Sequence, residues 1–418
     1  MSTLEHAREL DLHDPMARFR RDFIFPQQDG AELIYFTGNS LGLQPKKVRP
    51  FIDIELEDWA KMGVKGHFSG RNPWYDYHEF LEAPMARVVG AKPGEVVVMN
   101  ALTVNLHLMM VSFYRPTPER YKVVVEAGAF PSDRYAVASQ ARFHGYDPQD
   151  AVVELAPRDG EFTLRTEDIT AYLSEHGHEV ALVMLSGVNY YTGQVFHIEA
   201  ITQAGHAAGA VVGFDLAHAA GNVRLHLHDH GVDFAVWCTY KYLNSGPGGV
   251  AGCFVHERWA NEVDLPRFAG WWGNDPASRF EMPKRFIPQP GAPGWQLSNA
   301  PVLSMAALRA SLELFDAAGM EALREKSEQM TAYMLELIDA IPNERFEIIT
   351  PRDPAQRGCQ LSIRTTFDGR ALFDELTDRG VCCDFRTPDV IRVAPAPLYN
   401  SFEEVWRFCE IMRETVAG

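Results

Sequence analysis

Through the middle of the chain, apolar runs of strand length alternate with segments whose apolar residues recur every three or four positions. Residues 96–99, 121–126, 181–186, 210–215 and 234–239 read as strands. They are almost wholly apolar rather than alternating, which is the pattern of strands covered on both faces. Helical periodicity fills 104–113, 132–143 and 198–208 between them. Strand and helix in alternation predict an α/β architecture, a mostly parallel sheet flanked by helices.

The flanks read differently. Residues 1–50 form an arm, a short polar helix followed by Leu33-Ile34-Tyr35-Phe36 and a glycine-rich turn at 37–42. An amphipathic helix is expected over 48–63. Residues 267–301 are rich in Gly, Pro and Trp, and an ordered loop of that length is usually functional. Two helices, 303–317 and 321–341, lead into a tail at 345–416 where strands and helices mix. The expected division is an arm at 1–50 that joins the small domain, a large domain at 51–305, and a small α+β domain at 306–418.

Composition narrows the partners. The 418 residues carry 39 Lys+Arg against 56 Asp+Glu, a net charge of −17. That surplus offers no basic field to gather nucleic-acid phosphates or anionic lipid, so neither nucleic acid nor membrane is expected as a partner. No apolar run approaches the ~18 residues of a spanning helix, and the start lacks a secretory pattern. The six cysteines form no C-x-x-C and read as reduced thiols of a cytoplasmic protein.

The chemistry concentrates in two strand ends. Val211-Val212-Gly213-Phe214 runs into Asp215, with His218 just beyond. The next strand runs into Tyr240-Lys241, followed by Gly246-Pro247-Gly248-Gly249. Ligands of open α/β sheets sit beyond the carboxyl ends of strands, so an acid and an amine at two such ends can face one ligand. Lys241 is the single lysine between Lys122 and Lys284, and it follows an apolar run. The pair suits pyridoxal 5′-phosphate (PLP), whose aldehyde bonds a lysine amine and whose ring nitrogen is held by an acid. Each residue alone has a plainer reading, a helix cap or a surface lysine. The run His226-Leu227-His228-Asp229-His230 resembles a metal motif but is one residue short, and no metal is assigned.

Seven stretches resemble the kynureninase family, PLP enzymes of the type I aminotransferase fold. In chain order they are Thr37-Gly38-Asn39-Ser40-Leu41-Gly42-Leu43-Gln44-Pro45, Met99-Asn100-Ala101-Leu102-Thr103-Val104-Asn105-Leu106-His107, Ala129-Phe130-Pro131-Ser132-Asp133, Gly213-Phe214-Asp215-Leu216-Ala217-His218, Tyr240-Lys241-Tyr242-Leu243-Asn244, Gly270-Trp271-Trp272-Gly273, and Ile391-Arg392-Val393-Ala394-Pro395. Trp272 stands where the family pattern suggests phenylalanine, and Asn274 where it suggests histidine.

The resemblance implies a role for each position. Lys241 is the Schiff-base lysine, Asp215 the partner of the ring nitrogen, and Tyr240 a phosphate ligand and proton donor. Leu102 and Thr103 cradle the phosphate at a helix start. Phe130 stacks on the ring with Ser132 and Asp133 beside it, and Ser186 and His218 are further cofactor contacts. Trp271 and Asn299 reach the cofactor from a neighbouring subunit, which implies a homodimer with shared sites. Arg392 grips the substrate carboxylate, and Asn39, Ser40, His67, Ser298 and Asn299 contact the substrate. The implied reaction is hydrolysis of L-kynurenine, or 3-hydroxy-L-kynurenine, to L-alanine and the aryl acid. The other readings are a different PLP enzyme of this fold, an aminotransferase or cysteine desulfurase, and a non-catalytic binding protein.

Overall fold

The computed structural model describes residues 3–341 and 345–417. Seven strands build the main sheet: β1 (Val96–Val98), β2 (Lys122–Glu126), β3 (Val152–Leu155), β4 (Val180–Ser186), β5 (Val211–Asp215), β6 (Phe234–Trp237) and β7 (Gly252–Val255). Their order across the sheet is β1-β7-β6-β5-β4-β2-β3. The run from β6 to β3 is parallel, as the pattern of apolar runs predicts. At the other edge β7 pairs antiparallel with both β6 and β1, so the sheet is mixed. Nearly every side chain of β1, β2, β4, β5, β6 and β7 is buried.

The helices that matter for the site open just past strands. Helix α1 (Leu102–Phe113) follows β1, and α2 (Pro131–Phe143) follows β2. Proline at the first position of α2 costs nothing, because that N–H has no intrahelical partner. Helix α3 (Ile198–Ala207) joins β4 to β5. One cluster of buried residues lies on the face of the sheet that includes Val183, Leu185, Val212 and Phe214, and another on the face that includes Leu182, Met184 and Val125.

Beyond the long helices α4 (Val302–Ala318) and α5 (Met320–Asp339), four antiparallel strands form a second sheet, with Leu361–Thr365 and Val390–Val393 at its centre. The arm is woven into this part of the molecule. Ile34–Tyr35 pairs in parallel with Val381–Cys382, the Phe36 N–H donates to the Cys382 carbonyl, and the Ala394 N–H donates to the Phe36 carbonyl. Phe36 and Ala7 share one buried cluster with Leu361, Val393 and Phe408. None of the described helices is long and apolar enough to cross a membrane.

Candidate active site

Three adjacent strands end in polar side chains at one rim of the main sheet. β2 closes with Glu126, β4 with Ser186 and β5 with Asp215; Ser186 and Asp215 are direct register partners. Past β6 the chain turns and presents Tyr240 and Lys241 to the same place. These residues line one cavity at the sheet rim.

The arm holds the lysine turn from outside. The Gly42 N–H donates to the Tyr240 carbonyl at 2.9 Å, and the position a Gly42 Cβ would take is 2.3 Å from the Lys241 carbonyl oxygen. Only glycine allows so close an approach. The turn at 37–42 thus fixes the backbone that carries the amine.

Inside the cavity Lys241 Nζ lies 3.0 Å from His218 Nε2 and 5.8 Å from the centre of the Phe130 ring. Burial, with Lys241 and Arg392 nearby, drives the His218 imidazole well below its usual range, so the ring is neutral and its Nε2 accepts from the lysine. Asp215 Oδ1 accepts the Ala217 N–H at 2.6 Å. Burial raises the Asp215 carboxyl, opposed by that N–H and by Lys241. Asp133 is pushed well above the carboxylate range by burial and by Asp215. Burial also lifts the Tyr240 phenol, which therefore keeps its proton at neutral pH.

Two helix N-termini converge on this cavity. Neither Ala101, which precedes α1, nor Phe130, which precedes α2, supplies a side-chain cap. The orphan N–H groups of the first turn of α1 are open to an anion; in α2, where Pro131 has no N–H and the Asp133 N–H donates to the Phe130 carbonyl, the Ser132 N–H is the one left, and the Thr103 and Ser132 hydroxyls lie 2.9 Å apart between the two helices.

The structure gathers Leu102, Thr103, Phe130, Ser132, Asp133, Ser186, Asp215, His218, Tyr240 and Lys241 around one cavity. It does not bring the other expected site residues to that wall. Trp271 sits on a short helical turn, 42% exposed. Ser298 and Asn299 line a separate cleft with Met99 and Gly248. His67 packs edge-on against Trp74, 5.4 Å between ring centres. Asn39 is buried and donates to Gln360 Oε1, and Ser40 is exposed. Arg392 is sealed beneath Tyr190: one terminal nitrogen donates to the Tyr190 carbonyl, another to Asp384 Oδ2, and Nε has no partner.

Sequence reasoning missed Glu126 and Tyr190, which also line the cavity. Glu126 ends an apolar strand just as Asp215 does, so the same signal was there to read. Tyr190 lies in a loop with no periodic signature. The histidine-rich run contributes His228, whose Nδ1 is 2.9 Å from Glu95 Oε1 and whose ring stacks on His256 at 5.0 Å. Both nitrogens of His256 are engaged, Nδ1 by the Arg258 N–H and Nε2 at the His228 carbonyl, so this trio knits a turn to the sheet.

Solved structures of the same shape include a cysteine desulfurase from Thermococcus onnurineus, with a TM-score of 0.78 at 18% identity, covering 96% of this chain and 98% of that one. A C-DES variant with glycine covalently linked to its PLP cofactor has a TM-score of 0.75 at 16% identity, covering 91% of this chain and 96% of the other. The fold is therefore that of the type I class of PLP enzymes, and Lys241, on the turn past β6, lies in a cavity at its sheet rim. Relatives at much higher identity narrow the class. The kynureninase of Myxococcus xanthus is 61% identical over 97% of this chain and 96% of its own, and that of Koribacter versatilis 56% over 98% and 97%. The family model for the kynureninase C-terminal domain matches residues 323–412. The chain belongs to the kynureninase family.

Proposed function

We propose that this chain is a PLP-dependent hydrolase that cleaves the β,γ carbon–carbon bond of L-kynurenine or 3-hydroxy-L-kynurenine, releasing L-alanine and anthranilate or 3-hydroxyanthranilate. The observation that carries this is the Lys241 amine in one cavity with buried Asp215, beside two helix N-termini without side-chain caps. The cavity suits the cofactor on its own terms. His218 Nδ1 and Asp133 Oδ1 are buried there without hydrogen-bond partners.

Lys241 would hold the aldehyde carbon, Asp215 the ring nitrogen, Phe130 one ring face, and Thr103, Ser132 and the first-turn N–H groups the phosphate. When bound, the cofactor supplies an electron sink for the pair left by deprotonation and by bond cleavage. The chain's own groups do the rest. His218, neutral, accepts from Lys241 and steers its Nζ. Lys241 Nζ, when its amine is free, would be the base that takes the substrate α-proton. Asp215 would hold the ring nitrogen of the bound cofactor in its charged form. Tyr240 retains its phenolic proton and is the donor in the relay that accompanies addition of water to the aryl ketone and carbon–carbon cleavage.

The cysteine desulfurases share the fold, but a desulfurase needs a reactive thiol. Cys238, Cys253, Cys359, Cys383 and Cys409 are buried, and burial raises each thiol above its usual range. Cys382 is half-buried, 3.3 Å from the Thr37 hydroxyl. Buried free thiols also support a reducing, cytoplasmic setting.

We further propose a homodimer in which His67, Trp271, Ser298 and Asn299 complete the neighbour's cavity. Their absence from the lining of this chain's own cavity supports it, as do exposed Trp271, Phe280, Met282 and Ile287 on the long loop. With polar His67, Ser298 and Asn299 beside the aryl ring, the hydroxylated substrate is the better one. Incubating the protein and PLP with each substrate and identifying the products tests the activity. Transamination alone, or no alanine, would refute it, and equal kcat/KM for both substrates would remove the hydroxyl preference.

A further inference from the structure

Glu126 has no part in the roles assigned above, yet it lies in the wall of the same cavity with its side chain buried. We propose that Glu126 is a positioning residue for this reaction: as a carboxylic acid it grips Ser186 at two points and leaves the Ser186 O–H free to donate into the cavity. This rests on the reading of the cavity as a PLP site.

The grip is in the geometry. The Ser186 N–H donates to Glu126 Oε2 at 3.2 Å, and Ser186 Oγ lies 2.5 Å from Glu126 Oε1. One carboxyl oxygen therefore meets a donor that can only donate, and the other meets a hydroxyl that can do either. An ionised Glu126 would consume the hydroxyl's single proton and turn only lone pairs toward the cavity. A neutral Glu126 has the opposite effect: its own O–H donates to Ser186 Oγ, and the Ser186 proton is released for a partner elsewhere. The protonation of a residue behind the wall thus decides whether Ser186 is a donor or an acceptor at its front.

The surroundings favour the neutral form. The carboxyl is enclosed, and burial raises it, with Asp215 adding to the rise. Groups facing it come from every neighbouring element: Ser186 from β4, Asp215 from β5, Asp133 from the first turn of α2, and Lys241 beyond them. Three carboxyls stand against one amine among the described cavity residues, and His218 is neutral. Keeping all three ionised while buried side by side is unfavourable. Asp215 has the Ala217 N–H and the nearby Lys241 cation to support its charge, whereas Glu126 has hydrogen bonds from Ser186 and from its own backbone N–H but no cation beside it, and burial outweighs them.

The experiment is a double-mutant cycle on the holoenzyme, read by turnover, by the absorbance of bound cofactor and by the affinity of the stripped protein for PLP. Glu126→Gln preserves the neutral grip, since its amide N–H can donate to Ser186 Oγ and its carbonyl can accept the Ser186 N–H. It is expected to keep wild-type absorbance, and kcat/KM and affinity within about threefold. Glu126→Ala and Ser186→Ala are each expected to lower PLP affinity and kcat by about tenfold or more, since a buried polar group loses its partner. The pair E126A/S186A should be no worse than S186A alone, because Glu126 acts through Ser186. If E126A does not fold, E126Q on the S186A background carries the cycle and should be silent. Damage by E126Q equal to that of E126A would overturn the proposal, as would losses that multiply in the double variant or a wild-type E126A. Lys241→Ala serves as the separate control: if it still forms alanine, the reading of the cavity has failed, and not the role of Glu126 alone.

Discussion

Replacing Gly42 by alanine tests how tightly the arm governs the lysine. The added Cβ would sit 2.3 Å from the Lys241 carbonyl oxygen and 2.2 Å from Asn244 Oδ1. The amide of Asn244 can rotate away, but the carbonyl belongs to the backbone of the catalytic turn. Relief requires the arm and that turn to part by about 1 Å, to reach ordinary van der Waals contact. It also strains the hydrogen bond from the Gly42 N–H to the Tyr240 carbonyl. Overpacking of this kind costs about 1–3 kcal/mol. A displacement of about 1 Å at a reacting group can cost roughly 100-fold in rate. The expected result is a melting temperature lower by a few degrees, with kcat reduced between tenfold and 100-fold while KM changes far less. Steady-state kinetics with a thermal melt of the same preparation measures both. A G42A variant with wild-type kcat would show that the arm does not set the position of Lys241.

Other outcomes follow from the same geometry. Lys241→Ala should abolish alanine formation, and borohydride reduction of the wild-type holoenzyme should leave the cofactor label on position 241. Removing the Thr103 or the Ser132 hydroxyl should weaken PLP binding about tenfold, the worth of one charge-assisted hydrogen bond. Binding of pyridoxal, which has no phosphate, should be unchanged; an equal loss for both ligands would argue against a phosphate cradle. Mixing Lys241→Ala with Trp271→Ala chains should restore about a quarter of wild-type activity, because half of the randomly formed dimers would hold one intact shared site. No recovery would mean that each chain completes its own site. Burial and Arg279 lower the His78 imidazole to about 4, so it is uncharged in the folded state while an unfolded chain binds a proton near 6.5. Its contribution is present above pH 6.5 and is lost as the pH falls toward 4, at no more than about 1.4 kcal/mol per pH unit. Melting temperature followed over that window should fall less steeply in His78→Phe than in wild type.

The central strands were legible because they are buried on both faces and carry unbroken apolar runs. The observed helices at Leu102–Phe113 and Pro131–Phe143 begin one or two residues earlier than their periodicity suggests. Helix starts are set by backbone geometry and proline, which hydrophobic spacing does not record. The antiparallel strand Gly252–Val255 was missed, since it follows a glycine run that reads as loop. Asp215 and Lys241 could be found from strand ends alone. Thr103, Ser132 and Phe130 could not, because the convergence of two helix starts depends on sheet order. That information came through the family resemblance. Glu126 was overlooked although it ends its strand as Asp215 does, for attention went to the acid with a lysine downstream.

The strand order has a consequence for synthesis. Among the described strands, Val96–Val98 pairs with Gly252–Val255 alone, with Val98 opposite Gly252. A nascent chain emerging at about 5–20 residues per second must wait roughly 8–30 s between those two segments. For that interval an apolar ribbon has bare amide edges, the kind of surface that sticks to other newly made chains. Expression yield for this protein should therefore depend on chaperone supply more than on the stability of the finished molecule.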